Sequence, residues 1–189
     1  MVKKLTMLRV LTPFLSRPQE ELHLSEISRI VNAPHPTVRQ HLNILEKQGV
    51  LRKKTKGRLA LYSLNFDNPL LEDYLIIAEK EKLIGTAENS PILSELIDFL
   101  RKNYPASEML IFGSAAITTG KPNDIDIIIT GKEDTEKTKR FSEKYNKPLH
   151  IISVKRLTDI KTALKKEILK KHLIVQGSEK VMRWLCWQQ

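Results

Sequence analysis

The chain has 189 residues and a formal net charge of +10, with 41% hydrophobic residues, 29% charged residues and a single cysteine. This length suits one large domain or two small ones, and the composition is that of an ordinary folded protein. One cysteine excludes an intramolecular disulfide, and no apolar run approaches the roughly 20 residues of a membrane span, so we expect a cytoplasmic protein without a membrane partner.

The positive charge is concentrated in the first third of the chain. Residues 1–66 contain 12 Lys and Arg against 4 Asp and Glu, whereas residues 67–189 contain 20 against 18. A generally basic surface would spread the charge evenly, while a basic module at one end is typical of a nucleic-acid-binding domain. The charge therefore predicts a DNA-binding module in residues 1–66.

Three helices and a hairpin are predicted in this basic segment. The spacing of apolar residues predicts helices over residues 2–15 and 24–31, and a third helix that begins at Pro36 and ends before Gly49. Residues 50–64 are predicted to form a hairpin, because two apolar runs flank a basic tip. The cations of that tip are Arg52, Lys53, Lys54, Lys56 and Arg58.

The third helix carries an apolar stripe, which leaves polar side chains on its outer face. Those side chains are Thr37, Arg39, Gln40 and Asn43. The order of elements and the stretch 36–51 resemble the winged helix-turn-helix of MarR- and ArsR-type transcription regulators. The resemblance implies that the third helix contacts base edges of double-stranded DNA while the hairpin cations contact its backbone. A module used for protein contacts or dimerisation is the alternative.

A connecting helix is predicted over residues 70–84, with Asn68 and Pro69 at its start and a break at residues 85–89. Its apolar face suits the dimer interface that a regulator of two-fold DNA sites needs, or else packing within one chain. We therefore predict a DNA-binding domain over 1–66, a connecting or dimerisation segment over 67–89, a second domain over 90–189, and a homodimer.

The second domain contains a pattern with chemical meaning. An apolar run at residues 109–112 ends on Gly113-Ser114, and nine residues separate this corner from Asp124. Asp124 and Asp126 are one residue apart in a second apolar run, so a strand points both carboxylates to one face. Paired carboxylates suit a divalent cation, and a Gly-Ser corner lets backbone N–H groups approach a phosphate. The alternative is a hairpin that exposes two acids.

This layout resembles the polymerase-beta-like nucleotidyltransferases, in particular the minimal branch related to kanamycin nucleotidyltransferase. The resemblance implies a two-domain protein of α/β and α+β class, with a small mixed sheet backed by helices in the second domain. It also implies that Gly113 and Ser114 hold a nucleoside triphosphate, expected to be ATP, and that Asp124 and Asp126 hold Mg2+. Lys121 is the nearby loop cation that can contact phosphate, unless it is simply solvated.

Active members of this family carry a third carboxylate on the next core strand, where this chain has His150. Imidazole binds Mg2+ poorly compared with carboxylate, although it can serve as a general base. The predicted catalytic set is therefore Asp124, Asp126 and His150, with catalysis weakened or lost.

Two functions are consistent with these domains. The one we favour is a DNA-binding transcriptional regulator whose nucleotidyltransferase-fold domain binds Mg-NTP. The alternative is an active nucleotidyltransferase that transfers NMP from an NTP to a small-molecule, RNA or protein acceptor, such as a small helical toxin, and binds DNA for autoregulation. A scaffold that uses neither site is disfavoured, because paired acids on a buried strand cost stability without a cation.

Overall fold

A computed structural model describes residues 6–57, 59–117 and 123–187 of the chain. The chain forms two compact units that divide between Glu81 and Lys82. The domain limits predicted at residues 66 and 89 remain a prediction. Within the described ranges, every helix is too short or too polar to cross a lipid bilayer.

The first unit is a helix-turn-helix followed by a hairpin. Its elements are a 3-10 turn at Leu8–Leu11 that continues into α1 (Thr12–Leu15), then β1 (Leu22–His23), α2 (Leu24–Val31), α3 (His35–Lys47), β2 (Leu51–Lys56) and β3 (Leu59–Leu64). The three strands form one antiparallel sheet in the order β1-β3-β2. The second helix, the third helix and the hairpin lie where the sequence predicts them.

Apolar side chains on the inner side of each helix form the core of this unit. Phe14, Ile27, Val38 and Leu42 are fully buried. The chain passes from α3 into β2 through Gly49, which has a φ of +70° that residues with a Cβ adopt only under strain. Because α3 buries Val38 and Leu42, Arg39 and Gln40 between them face outward.

The helix after the hairpin, α4 (Leu71–Glu88), runs past the division between the units. It does not break at Gly85 as predicted, since residues 85–88 remain helical. A glycine inside a helix costs about 1 kcal/mol relative to alanine. Burial of the neighbouring Leu83 and Thr86 side chains outweighs that cost. The predicted end of this helix at residue 84 is therefore wrong.

The second unit contains a mixed four-stranded sheet with helices. Its further elements are α5 (Pro91–Asn103), β4 (Met109–Phe112), β5 (Ile125–Thr130), α6 (Thr135–Tyr145), β6 (Leu149–Val154), α7 (Thr162–Lys170), β7 (His172–Gln176) and α8 (Ser178–Cys186). The strand order is β6-β5-β4-β7. β5 and β6 are parallel, while β4 is antiparallel to both of its neighbours.

One face of this sheet packs on a buried core with helices, and the other face carries Asp126. Ile111, Ile127 and Val175 belong to a buried core that includes residues of α5 and α6. Successive residues of a strand point to opposite faces. Asp126 and Phe112, which pair across β5 and β4, therefore share the second face. The alternation that buries Ile127 thus fixes the direction of the Asp126 carboxylate.

One edge of the sheet is the strand β7, and two helices contact its first residue. Lys82 of α4 donates from Nζ to the carbonyl oxygen of His172. The ring Nδ1 of His172 lies 3.1 Å from the carbonyl oxygen of Ile168 near the end of α7. These contacts attach α4 and the last turn of α7 to the start of the edge strand.

Glu108, the residue before β4, is held by two residues from other elements. The Thr130 hydroxyl accepts from the Glu108 backbone N–H at 2.8 Å and donates to its Oε2 at 2.5 Å. Lys180 Nζ lies 2.7 Å from Oε1 of this side chain, which is 15% exposed. The Lys180 ammonium and the Thr130 hydroxyl hold the pKa of Glu108 below its ordinary value of 4.5. The carboxylate therefore connects β4 with β5 and α8.

We expect Glu108→Gln to lower the free energy of unfolding of the second unit by about 1–3 kcal/mol at pH 7, because hydrogen bonds to a charged group are lost. A depressed pKa stabilises the fold above pH 4.5, and this contribution disappears as the pH falls through the lower folded-state pKa. The difference between the variant and the wild type should therefore shrink in acid.

The measurement is urea unfolding followed by tryptophan fluorescence, since both tryptophans, Trp184 and Trp187, lie in the second unit. Glu143→Gln is the control, because the Glu143 side chain is 65% exposed and its lysine partner is 3.9 Å away. An equal loss of stability at pH 7 and at pH 3.5 would contradict the assigned role of the carboxylate.

Candidate functional site

The Gly-Ser corner lies directly after β4. Gly113 has a φ of +71° and begins a short 3-10 turn, Gly113–Ala116, in which Ser114 is exposed. A Cβ at Gly113 would lie 3.0 Å from Oδ2 of Asp126. Glycine is required here both by the backbone conformation and by the close approach of the carboxylate. The corner and Asp126 are therefore neighbours in space, as the spacing of the motif predicts.

The two acids and His150 lie together on adjacent strands. Asp126 pairs with His150 in the parallel register of β5 and β6, and Asp124 immediately precedes β5. Nδ1 of His150 lies 3.4 Å from Oδ1 of Asp126 and 3.6 Å from Oδ2 of Asp124. One ligand atom from each of the three side chains lies within 4.8 Å of the others. The structure therefore brings together the three residues predicted to form the catalytic set.

The chemistry of these donors determines which cation they fit. Two carboxylates are good ligands for a hard divalent cation. The third donor is an imidazole nitrogen, which Mg2+ accepts reluctantly and which transition ions such as Zn2+ prefer. The group therefore fits a divalent cation, but it departs from the set of oxygen ligands that Mg2+ prefers.

Lys121, the cation expected near the phosphates, lies outside the described residues, so its role stays a prediction. The backbone of Lys171, the residue before β7, contacts the Gly113 corner. The backbone N–H of Gly113 donates to the carbonyl oxygen of Lys171 at 3.1 Å, and Lys171 is exposed. The sequence analysis missed Lys171, because no local signal indicates that β7 pairs with β4.

The outer face of α3 carries the residues predicted to read DNA. Arg39 and Gln40 are exposed, whereas Thr37 and Asn43 are half-buried. Oδ1 of Asn43 is enclosed and has no hydrogen-bond partner among the described residues. Ile44, which the sequence analysis did not single out, is exposed on the same helix. Arg39 and Gln40 are therefore the most accessible of the four predicted side chains.

The hairpin exposes all of its described cations, and several of them contact acids. Arg52 pairs with Asp67, Lys53 Nζ lies 3.9 Å from Glu46, and Lys54 Nζ lies 3.4 Å from Glu21. Arg58 lies outside the described residues. Lys56 is exposed, and within residues 6–57, 59–117 and 123–187 no acid pairs with it. Exposed ion pairs contribute about 0–1 kcal/mol, so these cations can exchange a carboxylate for a phosphate.

Comparison with known protein families supports the description of each of the two units. The family model described as "Bacterial regulatory protein, arsR family" matches residues 6–53, and the model described as "Nucleotidyltransferase domain" matches residues 93–181. No solved structure matches the chain. An ArsR-type helix-turn-helix is therefore followed by a nucleotidyltransferase domain, and the predicted resemblance and fold class are confirmed.

Proposed function

We propose that this protein is a DNA-binding transcriptional regulator whose nucleotidyltransferase domain binds a nucleoside triphosphate. The observation that carries the proposal is the pairing of an ArsR-type match over residues 6–53 with an exposed Arg39-Gln40 pair on α3. Both side chains can contact base edges in the major groove. We place this activity in the cytoplasm, where a regulator meets its DNA.

The exposed hairpin supports the same proposal through its charge. The outward cations of β2 follow the recognition helix by only a short turn, as in a wing that contacts the DNA backbone. Phosphate contacts of this kind give affinity that depends on salt and little on sequence. Arg39 and Gln40 would then contribute sequence preference, and Lys56 would contribute general affinity.

We expect Arg39→Ala to weaken binding to a preferred duplex by about 1–3 kcal/mol and to relax its sequence preference, because a base contact is lost. Lys56→Ala should weaken binding to all duplexes alike and reduce the slope of log affinity against log salt by about 1.

The measurement is fluorescence anisotropy on a duplex selected from a random pool. Lys139→Ala, an exposed lysine of α6, is the control. The proposed DNA interface would be contradicted if the wild type and the three variants had identical DNA affinities and identical salt slopes.

The second unit offers a site for the triphosphate. The turn Gly113–Ala116, with its exposed Ser114 hydroxyl, lies beside the carboxylate of Asp126. The backbone of Lys171 contacts the corner and its side chain is exposed, so its ammonium group is available to a phosphate bound there. We propose a nucleoside triphosphate as the ligand, with ATP as the first to be tested, because these groups recognise phosphate rather than a particular base.

We expect Lys171→Ala to weaken ATP binding by about tenfold, equivalent to about 1.4 kcal/mol, through the loss of a charge beside the phosphates. Lys170→Ala is the matched control, since Lys170 precedes it and pairs with Glu167 at 2.7 Å. Asp124→Asn should also weaken binding without unfolding the unit. The measurement is a calorimetric titration of ATP with a divalent cation, repeated with the other nucleotides. Equal ATP affinities of the Lys171→Ala and Lys170→Ala variants would contradict the proposed role of Lys171 in phosphate binding.

A second function is favoured by the assembly of Asp124, Asp126 and His150 beside the corner. In this alternative the enzyme transfers NMP to a small molecule, an RNA or a protein such as a small helical toxin, and binds DNA for autoregulation. An acceptor hydroxyl oxygen forms a bond to the α-phosphorus, the bond to the β-phosphate oxygen breaks and pyrophosphate leaves. The hydroxyl proton passes to a base, for which His150 is available. Transfer of label from an α-labelled NTP to an acceptor distinguishes this function from binding alone.

We also propose that the protein is a homodimer, because regulators of this class read two-fold DNA sites. Leu70 and Ile77 are seven residues apart near the start of α4, and they are 56% and 48% exposed. Apolar residues with this spacing lie on one side of a helix and suit a second copy of the chain.

We expect Ile77→Glu to shift the protein from dimer to monomer, since a charge would have to be buried in the interface. Sedimentation velocity across a range of concentrations measures this. Ile152→Glu, at a comparably exposed isoleucine of β6, is the control and should leave the mass unchanged. A wild type that sediments as a monomer at every concentration would overturn the dimer.

A further inference from the structure

The position of His150 is set by the backbone of the sheet. β5 and β6 pair in parallel register over six residues, with Asp126 opposite His150 and Ile127 opposite Ile151. Ile125 and Ile127, on either side of Asp126, are fully buried. A change of register by one residue would move them to the face that carries Asp126, so the register is strongly fixed. The imidazole therefore lies beside the carboxylates because of the fold, although its own side chain is 58% exposed.

The distances between His150 and the two carboxylates are longer than those of direct hydrogen bonds. Nδ1 of His150 lies 3.4 Å and 3.6 Å from the two carboxylate oxygens, while hydrogen bonds from nitrogen to oxygen are about 2.7–3.2 Å long. One ligand atom from each of the three side chains lies within 4.8 Å of the others, so one cation can reach all three. The types of donor, and not these distances, indicate which cation the group prefers.

We infer that Asp124, Asp126 and His150 bind a divalent transition-metal ion of the Zn2+ and Co2+ class in preference to Mg2+. The imidazole supplies a nitrogen ligand that such ions favour, and three protein ligands leave one position open for a phosphate oxygen or water. This inference rests on the proposed nucleotide site, because it concerns the cation of that site. It replaces the Mg2+ expected from the sequence.

The inference also changes the assignment of His150. A ring that binds a cation through Nδ1 carries its proton on Nε2 at neutral pH and cannot accept a second one while it remains bound. His150 would then be a metal ligand and not the general base of the alternative function. Without a metal, the group would consist only of the contacts of His150 with the two carboxylates.

The test is a titration of the metal-free full-length protein with Co2+, followed by its visible absorption, without nucleotide or DNA. We expect the wild type to bind Co2+ with bands of four-coordinate geometry. Equimolar Zn2+ should abolish these bands, whereas a hundredfold excess of Mg2+, on the order of a 2.7 kcal/mol difference, should leave them intact. His150→Ala should weaken Co2+ binding by about tenfold or more. His150→Asp should allow Mg2+ to compete, because it restores a third carboxylate.

His35→Ala is the matched control, because His35 is an exposed histidine of the first unit and should not affect the bands. The inference is overturned if the wild type shows no Co2+ bands, if Mg2+ displaces Co2+ readily, or if His150→Ala binds Co2+ as the wild type does. The contacts of His150 with the two carboxylates, without a bound metal, would then describe the group. Since no nucleotide is present, failure of ATP to bind a Co2+-loaded protein would overturn the proposed nucleotide function and leave the metal inference standing.

Discussion

The parallel pairing of β5 with β6 is the constraint on which the second unit depends. Its register buries Ile125, Ile127 and Ile129 on one face and directs Asp126 to the other. The antiparallel pairing with β4 then brings the Gly113 corner to the same carboxylate. One set of backbone hydrogen bonds therefore determines both the core and the arrangement of the functional groups. A site of this kind is as rigid as the sheet that carries it.

Much of the fold could be predicted from the sequence, because its signals are local. The apolar stripe of α3 and the apolar run of β5 lie within one element each, so the local pattern of residues identifies them. The end of α4 was predicted wrongly at Gly85. A glycine is a local signal for a break, whereas the burial of Leu83 and Thr86 that keeps the helix intact depends on residues distant in the sequence.

The residues of the candidate site also divide into those whose proximity could be predicted from the sequence and those whose position depends on tertiary packing. Gly113, Ser114, Asp124 and Asp126 form one continuous motif, and their proximity could be predicted from its spacing. The approach of Lys171 to the corner requires knowledge of how β7 pairs, and the half-buried state of Thr37 and Asn43 requires the packing of α3. The ion pairs of the hairpin cations likewise join elements that are distant in the sequence. The roles of all these residues stay predictions.

The hydrogen bond between Lys82 and the carbonyl oxygen of His172 lies at the edge of the sheet, where a strand from another molecule could pair. β7 is an edge strand of apolar residues, and such an edge invites a strand from another molecule to extend the sheet. At the start of this edge, the Lys82 ammonium group already donates to the carbonyl oxygen of His172. A strand added there would have to displace a charged group from its partner, which disfavours extension of the sheet at this point.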